Sequence, residues 1–131
     1  MARISSAAYV TCVLHFLQAY NAGDLDQCEG YLDEDIYWQA AAGYHGRSEV
    51  RRMLEHIRDR FSSPHVRPED FREAGGHVLM VVVFHEGDAS APQSQLRQSW
   101  IVDLNEEGLM ARVVSYDTPA EAARAFDGLT A

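Results

Sequence analysis

Residues Val78 to Phe84 read Val-Leu-Met-Val-Val-Val-Phe, seven apolar side chains in unbroken succession between His77 and His85. A helical membrane span needs about 20 such residues, so the run is far too short to be one. It follows Gly75-Gly76, a two-residue hairpin signal, and reads as a strand from His77 to Glu86 paired with one from Glu69 to Ala74. Successive side chains of a strand point to opposite faces. This strand is therefore apolar on both, and a strand of that kind is normally covered on both. The rest of the chain has to supply the cover.

The first helix is expected from Ser5 to Asn21, with Val10, Val13, Leu14 and Leu17 at helical spacing and Tyr9, Phe16 and Tyr20 widening the apolar face. Gly23 stops it. Asp24 then caps a second helix, with Gln27 three residues on and Leu25, Cys28, Tyr31 and Leu32 as its buried side. The turn Asp33-Glu34-Asp35 leads to a short strand, Ile36 to Ala41, and the loop Gly43-Tyr44-His45-Gly46 to a third helix, Ser48 to Phe61, ended by Ser62-Ser63-Pro64. Val50, Met53, Leu54, Ile57 and Phe61 mark its inner face. After the hairpin come a polar loop, Gly87 to Gln93, and strands at Ser94–Leu104 and Leu109–Asp117. Thr118-Pro119-Ala120-Glu121 opens a closing helix with a cap, a first-position proline and a capping-box glutamate. Helices segregated from an antiparallel run define an α+β domain. With no repeat or low-complexity linker, residues 1–131 form one domain.

Composition removes several function classes. The net charge is −9, which opposes binding to nucleic acid or to an anionic membrane surface. All 11 basic residues are arginine, so Schiff-base and lysine-base chemistry are unavailable. Cys12 and Cys28 fall in expected helices without metal-ligand spacing and read as reduced core residues of a cytoplasmic protein. No export signal is visible at the N-terminus. No His, Asp, Glu or Cys pair has ligand spacing, and His77 and His85 stand about 26 Å apart by strand rise; neither a metal nor a cofactor is expected.

The stretch Tyr20-Asn21-Ala22-Gly23-Asp24-Leu25-Asp26 resembles the helix-to-helix junction of the nuclear-transport-factor-like superfamily, in its SnoaL-like and ketosteroid-isomerase-like branch. Asp35-Ile36-Tyr37-Trp38, Gly46-Arg47-Ser48-Glu49-Val50, Glu73-Ala74-Gly75-Gly76-His77 and Ser115-Tyr116-Asp117 match in order and spacing. The resemblance implies a cone: a curved antiparallel sheet wrapped by the N-terminal helices around a pocket for a small, mostly apolar molecule. That superfamily hosts isomerases, polyketide cyclases, epoxide hydrolases, dehydratases and non-catalytic binders, so the fold alone does not choose among them.

Alternation then sorts the expected lining. Trp38 and Ala40 face the pocket from one strand; His77, Leu79, Val81, Val83 and His85 from the long strand; Gln98, Trp100 and Val102 from the next; Val113, Ser115 and Asp117 from the last. Phe16, Tyr20, Tyr44 and Leu54 complete it. The outward set Val78, Met80, Val82 and Phe84 is equally apolar and is expected to join two copies sheet against sheet as a homodimer. Ketosteroid isomerases need a strand carboxylate, a tyrosine and a protonated aspartic acid. The resemblance puts Ala40, Phe16 and Trp100 at those places, so steroid isomerisation is not expected. The Arg and Asp two residues apart that the limonene-epoxide-hydrolase pattern requires are also missing, since Arg97 is followed by Ser99. SnoaL-like cyclases carry an acidic residue on the closing strand. By that resemblance Asp117 is the general acid or base, unless it merely precedes the Thr118 cap. The chain is thus expected either to bind a polyketide-like or polycyclic molecule and isomerise, cyclise or hydrate it, or to bind without catalysis. A protein-interaction module of the same fold is the third reading.

Overall fold

The computed structural model describes residues 6–60, 65–85 and 95–130. In chain order the elements are α1 (Ser6–Asn21), α2 (Leu25–Glu29), β1 (Leu32–Gln39), β2 (Gly43–His45), α3 (Arg47–Arg60), β3 (His65–Ala74), β4 (His77–His85), β5 (Gln95–Leu104), β6 (Met110–Tyr116) and α4 (Pro119–Thr130). The described strands form one sheet in the order β2-β1-β6-β5-β4-β3. The fold class is α+β, as expected. The Ser62-Ser63-Pro64 helix stop and the polar loop 87–93 lie outside the described residues.

Local chemistry explains most boundaries. Asp24 caps α2 by accepting from the Gln27 amide at 3.0 Å, and Gly23, with φ +78°, makes the preceding turn. Thr118 caps α4 by accepting from the Glu121 amide at 3.2 Å. Gly75 and Gly76 both have positive φ, which is what a two-residue turn joining Ala74 to His77 demands. The end of α1 is tied to β3 by the Asn21 side chain: its amide nitrogen donates to the Val66 carbonyl at 2.9 Å, and its oxygen accepts from the Val66 amide at 2.8 Å.

Four expectations are corrected. Leu32 is not on a helix face; α2 ends at Gly30, and Leu32 opens β1, fully buried. The segment read as a loop, Gly43 to His45, pairs with β1 as an added strand. The sheet is not wholly antiparallel, because β1 and β6 run parallel with a register shift between Leu32 and Tyr37. Finally, β3 starts at His65 and passes through Pro68, which an edge strand tolerates because no neighbour needs its missing N–H. A bulge at Asp70, φ 39°, shifts its register.

The largest correction concerns the two faces of β4. Residues paired directly across strands share a face. One row runs Tyr44, Trp38, Val113, Val102, Val78, Glu73 across all six strands, and the next runs Ser115, Trp100, Met80, Phe71. These rows meet the helices. Val78, Met80 and Val82 are fully buried in the same core as Val13, Phe16, Leu17 and Tyr20 of α1 and Val50, Met53 and Leu54 of α3, with Phe84 packed against it. The four residues expected at a dimer interface therefore lie inside the chain's own core. Leu79, Val81 and Val83, expected in the pocket, share the opposite face with Ile101 and Ser99. That face is covered by α4, which packs on β4, β5 and β6 and buries Ala122 and Phe126. The closing helix thus supplies cover on the outer face of β4, β5 and β6.

Candidate functional site: an aromatic lining with a single amide polarity

The concave face gathers rings from four elements. Phe16 of α1 lies 6.0 Å from Trp38 of β1, centroid to centroid; Trp38 meets Trp100 of β5 edge to face at 5.1 Å; Trp100 lies 6.1 Å from Phe84 of β4. Edge-to-face geometry places the positive rim of one ring on the negative face of the next. Tyr44, directly opposite Trp38, and Ala40 are half-buried and pack on the same cluster. Leu54 and Val113 are buried in it. Ser115 lies directly opposite Trp100 and is half-buried.

Polar groups on this face are few. The Trp100 indole Nε1 donates to Gln98 Oε1 at 3.2 Å. The Tyr20 hydroxyl is buried and has no hydrogen-bond partner among the described residues. Burial pushes the Tyr20 phenol up to about 12, against an opposing pull from the Arg58 guanidinium, whose carbon lies 5.3 Å from the ring centroid. Arg58 also donates to the Tyr20 carbonyl at 2.5 Å, which fixes the ring under the end of α3. Burial likewise raises the thiols of Cys12 and Cys28 to about 11, which keeps both protonated and unreactive at neutral pH. Among the described residues no cluster of three His, Cys, Asp or Glu side chains could hold a metal.

Of the residues expected to line a pocket, Phe16, Tyr20, Trp38, Leu54, Trp100 and Val113 meet in one buried cluster, with Ala40 and Tyr44 packed against it and Gln98 and Ser115 beside Trp100. Val81 and Val83 are on the outer face, and the side chain of His85 lies outside the described residues. His77 is also on the outer side, where its Nδ1 stands 2.5 Å from Asp103 Oδ1. Asp117 follows the last residue of β6 and is exposed. The last strand, expected to carry Asp117 into the pocket, ends one residue before it.

Two features escaped the sequence reading. Glu73 is directly opposite Val78 and so ends the inner row on the edge strand, half-buried. The two-residue hairpin was a signal for it: once Ala74 pairs with His77, Glu73 must face with Val78 and Phe71, still on the hairpin side of the bulge, with Met80. The second is a charged groove of about 570 Å³ outside the cone, lined by Glu29, Glu34, Asp35, His45, Gly46, Arg47, Ser48, Glu49 and Arg52. It forms where the start of α3 meets β1; there Glu49 accepts from the His45 amide at 2.8 Å and Arg47 donates to the Leu32 carbonyl at 3.2 Å.

Comparison with known proteins agrees with this architecture. The model of the SnoaL-like domain matches residues 13–113. No curated protein matches the sequence. Among solved structures, a cystatin-fold protein from Novosphingobium aromaticivorans superposes with a TM-score of 0.70 at 20% identity, covering 82% of this chain and 97% of its own. A protein proposed to be a polyketide cyclase from Sinorhizobium meliloti gives 0.71 at 16% identity, covering 81% and 94%. TerC, crystallised with polyporic acid, gives 0.71 at 14% identity, covering 94% and 98%. Identities this low carry the fold and not the activity. With the family model spanning most of the helices and strands that build the cone, the chain belongs to the SnoaL-like family.

Proposed function

We propose that the protein binds one small, flat, mostly apolar molecule against the ring cluster of its concave face. The observation that carries this reading is the Phe16–Trp38–Trp100–Phe84 chain of rings, with a neutral amide at its side instead of an ion pair. Rings recognise flat apolar ligands through area and edge-to-face contacts, while one or two polar groups fix orientation. The fold neighbour crystallised with polyporic acid supports a ring-bearing, oxygenated ligand of this kind.

Two tryptophans in the lining make the test direct. Titration with 9-fluorenone, a three-ring ketone, should quench tryptophan fluorescence saturably, with a one-to-one complex in native mass spectrometry. Trp38→Phe and Trp100→Phe should each remove part of the quenching. Saturable binding that leaves both tryptophans unperturbed would remove the cone from consideration as the site.

A catalytic reading attaches to one observation. Glu73 is the carboxylate in register with the inner row, whereas Asp117 is exposed. If the ligand is turned over by acid/base chemistry, Glu73→Gln should abolish turnover and Asp117→Asn should leave it unchanged. The reverse result would restore Asp117.

A further inference from the structure

Gln98 and Trp100 sit two residues apart on the same face of β5, and their hydrogen bond has only one possible sense. An indole N–H can donate and cannot accept. The atom of the Gln98 amide that faces it must therefore be the oxygen, which removes the usual ambiguity in orienting a glutamine side chain. With Oε1 held 3.2 Å from the indole nitrogen, the amide NH2 is turned to the other side, and it has no partner among the described residues. Gln98 is directly opposite the buried Val82, on the same face as the ring cluster. The second polar group adjoining Trp100, the Ser115 hydroxyl, can donate as well.

From this geometry we infer that Gln98, locked by Trp100, presents amide donors to the ligand and selects molecules carrying a carbonyl or enolate oxygen over hydrocarbons of the same shape. The inference rests on the ligand-binding reading above and adds to it the class of ligand: a ring ketone or quinone. Trp100 then has two roles. Its ring supplies area, and its N–H sets the polarity of the neighbour that reads the ligand's oxygen. A hydrogen-bonding position that loses its ligand partner is left with unpaired donors, which is why the ketone-free analogue is penalised and not merely tolerated.

The experiment compares 9-fluorenone with fluorene, two molecules of one framework that differ by a single carbonyl. Dissociation constants are measured by tryptophan quenching on the wild type, Gln98→Leu, Gln98→Glu and Trp100→Phe, with thermal melts confirming that each variant folds. Fluorenone should bind the wild type about tenfold more tightly than fluorene, the size of one well-made neutral hydrogen bond with its desolvation balance. Gln98→Leu should bring that ratio to about one by removing the donors. Gln98→Glu still accepts from the indole but offers oxygen to the ligand, and should invert the preference. Trp100→Phe should lower the ratio by releasing the amide to turn. Fluorenone and fluorene binding the wild type equally, or a ratio that survives both Gln98 variants, overturns the inference while leaving the ring-lined site standing. A ratio unchanged in Trp100→Phe overturns the lock. If neither molecule binds, the ligand-binding reading fails and this inference with it, a result distinct from equal binding.

Discussion

The two faces of the sheet are nearly equal in composition and opposite in use. Along β4 the inner side chains are Val78, Met80, Val82 and Phe84, and the outer ones are Leu79, Val81 and Val83. Inside, the neighbours are rings and neutral hydrogen-bonding groups, with the Glu73 carboxylate at the edge of the row. Outside, polar contacts frame the apolar strip: Arg67 and Arg97 pair with Glu69, Arg72 stands 3.8 Å from Asp127, and His77 meets Asp103. The arginines of these pairs are exposed, and ion pairs of that kind contribute little to stability. The same pairs within the cone would bear the desolvation cost of two charges. A sheet can therefore carry apolar residues on both sides and still tell them apart, through the polar groups it admits to each.

The comparison can be broken by truncating one residue on each face. Met80 is fully buried under α1 and α3, and Met80→Ala should cost about 2–5 kcal/mol in urea unfolding. Leu79, half-buried on the outer face, should cost clearly less when cut to Ala. Equal losses would mean that α4 seals its side as tightly as the N-terminal helices seal theirs.

Thr118→Ala tests how firmly that outer cover is anchored. Removing the hydroxyl that accepts from the Glu121 amide should cost about 1 kcal/mol. A loss of Phe126 burial, seen as faster hydrogen exchange along α4, should accompany it. A variant as stable as the wild type would show that packing of Ala122 and Phe126 alone holds the helix.

A smaller effect is expected at Asp117. Exposed and outside the ring cluster, it should change stability by no more than about 0.5 kcal/mol when replaced by Asn. It should leave fluorenone affinity unchanged. A marked loss of affinity would place its carboxylate on the ligand.

Acid titration gives the smallest difference. Asp33 accepts from the Asp35 amide at 2.8 Å and from the Asn105 side chain at 2.6 Å, and these bonds hold its carboxyl below the ordinary aspartate range. A depressed folded-state pKa contributes stability that is present above the unfolded-state value and lost as pH falls through the folded one. Asp33→Asn should therefore be less sensitive to acid in that low-pH window than the wild type, compared by denaturant midpoints. Identical acid dependence would mean that the two bonds do not persist in solution.

Apart from β2, the order of helices and strands, the caps at Asp24 and Thr118 and the Gly75-Gly76 hairpin were legible because each rests on neighbours in sequence. So was the shared facing of several inner residues. Trp38, Trp100, Val113 and Ser115 were placed on one face by alternation along regular strands, and the structure pairs them across β1, β5 and β6. The facing of β4 was not legible from β4 itself, since alternation within a run of seven apolar residues offers no contrast. Its partner strand held the contrast, with charged Arg72 opposite Leu79 and apolar Phe71 opposite Met80.

By itself, the sequence determined that this chain folds as a small α+β domain with a sheet in need of cover on both faces, and that rings would gather near Trp38 and Trp100. Those properties follow from local backbone preference and from the periodic placement of apolar side chains, which act over a few residues. Which face became the cone, that α4 packs on the other, and that Asp117 is exposed while Glu73 falls in register with the inner row were decided by the tertiary structure. Each of these depends on strand register and on where a strand stops. A shift of one residue there reverses every side chain beyond it, and only pairing across the sheet sets that count.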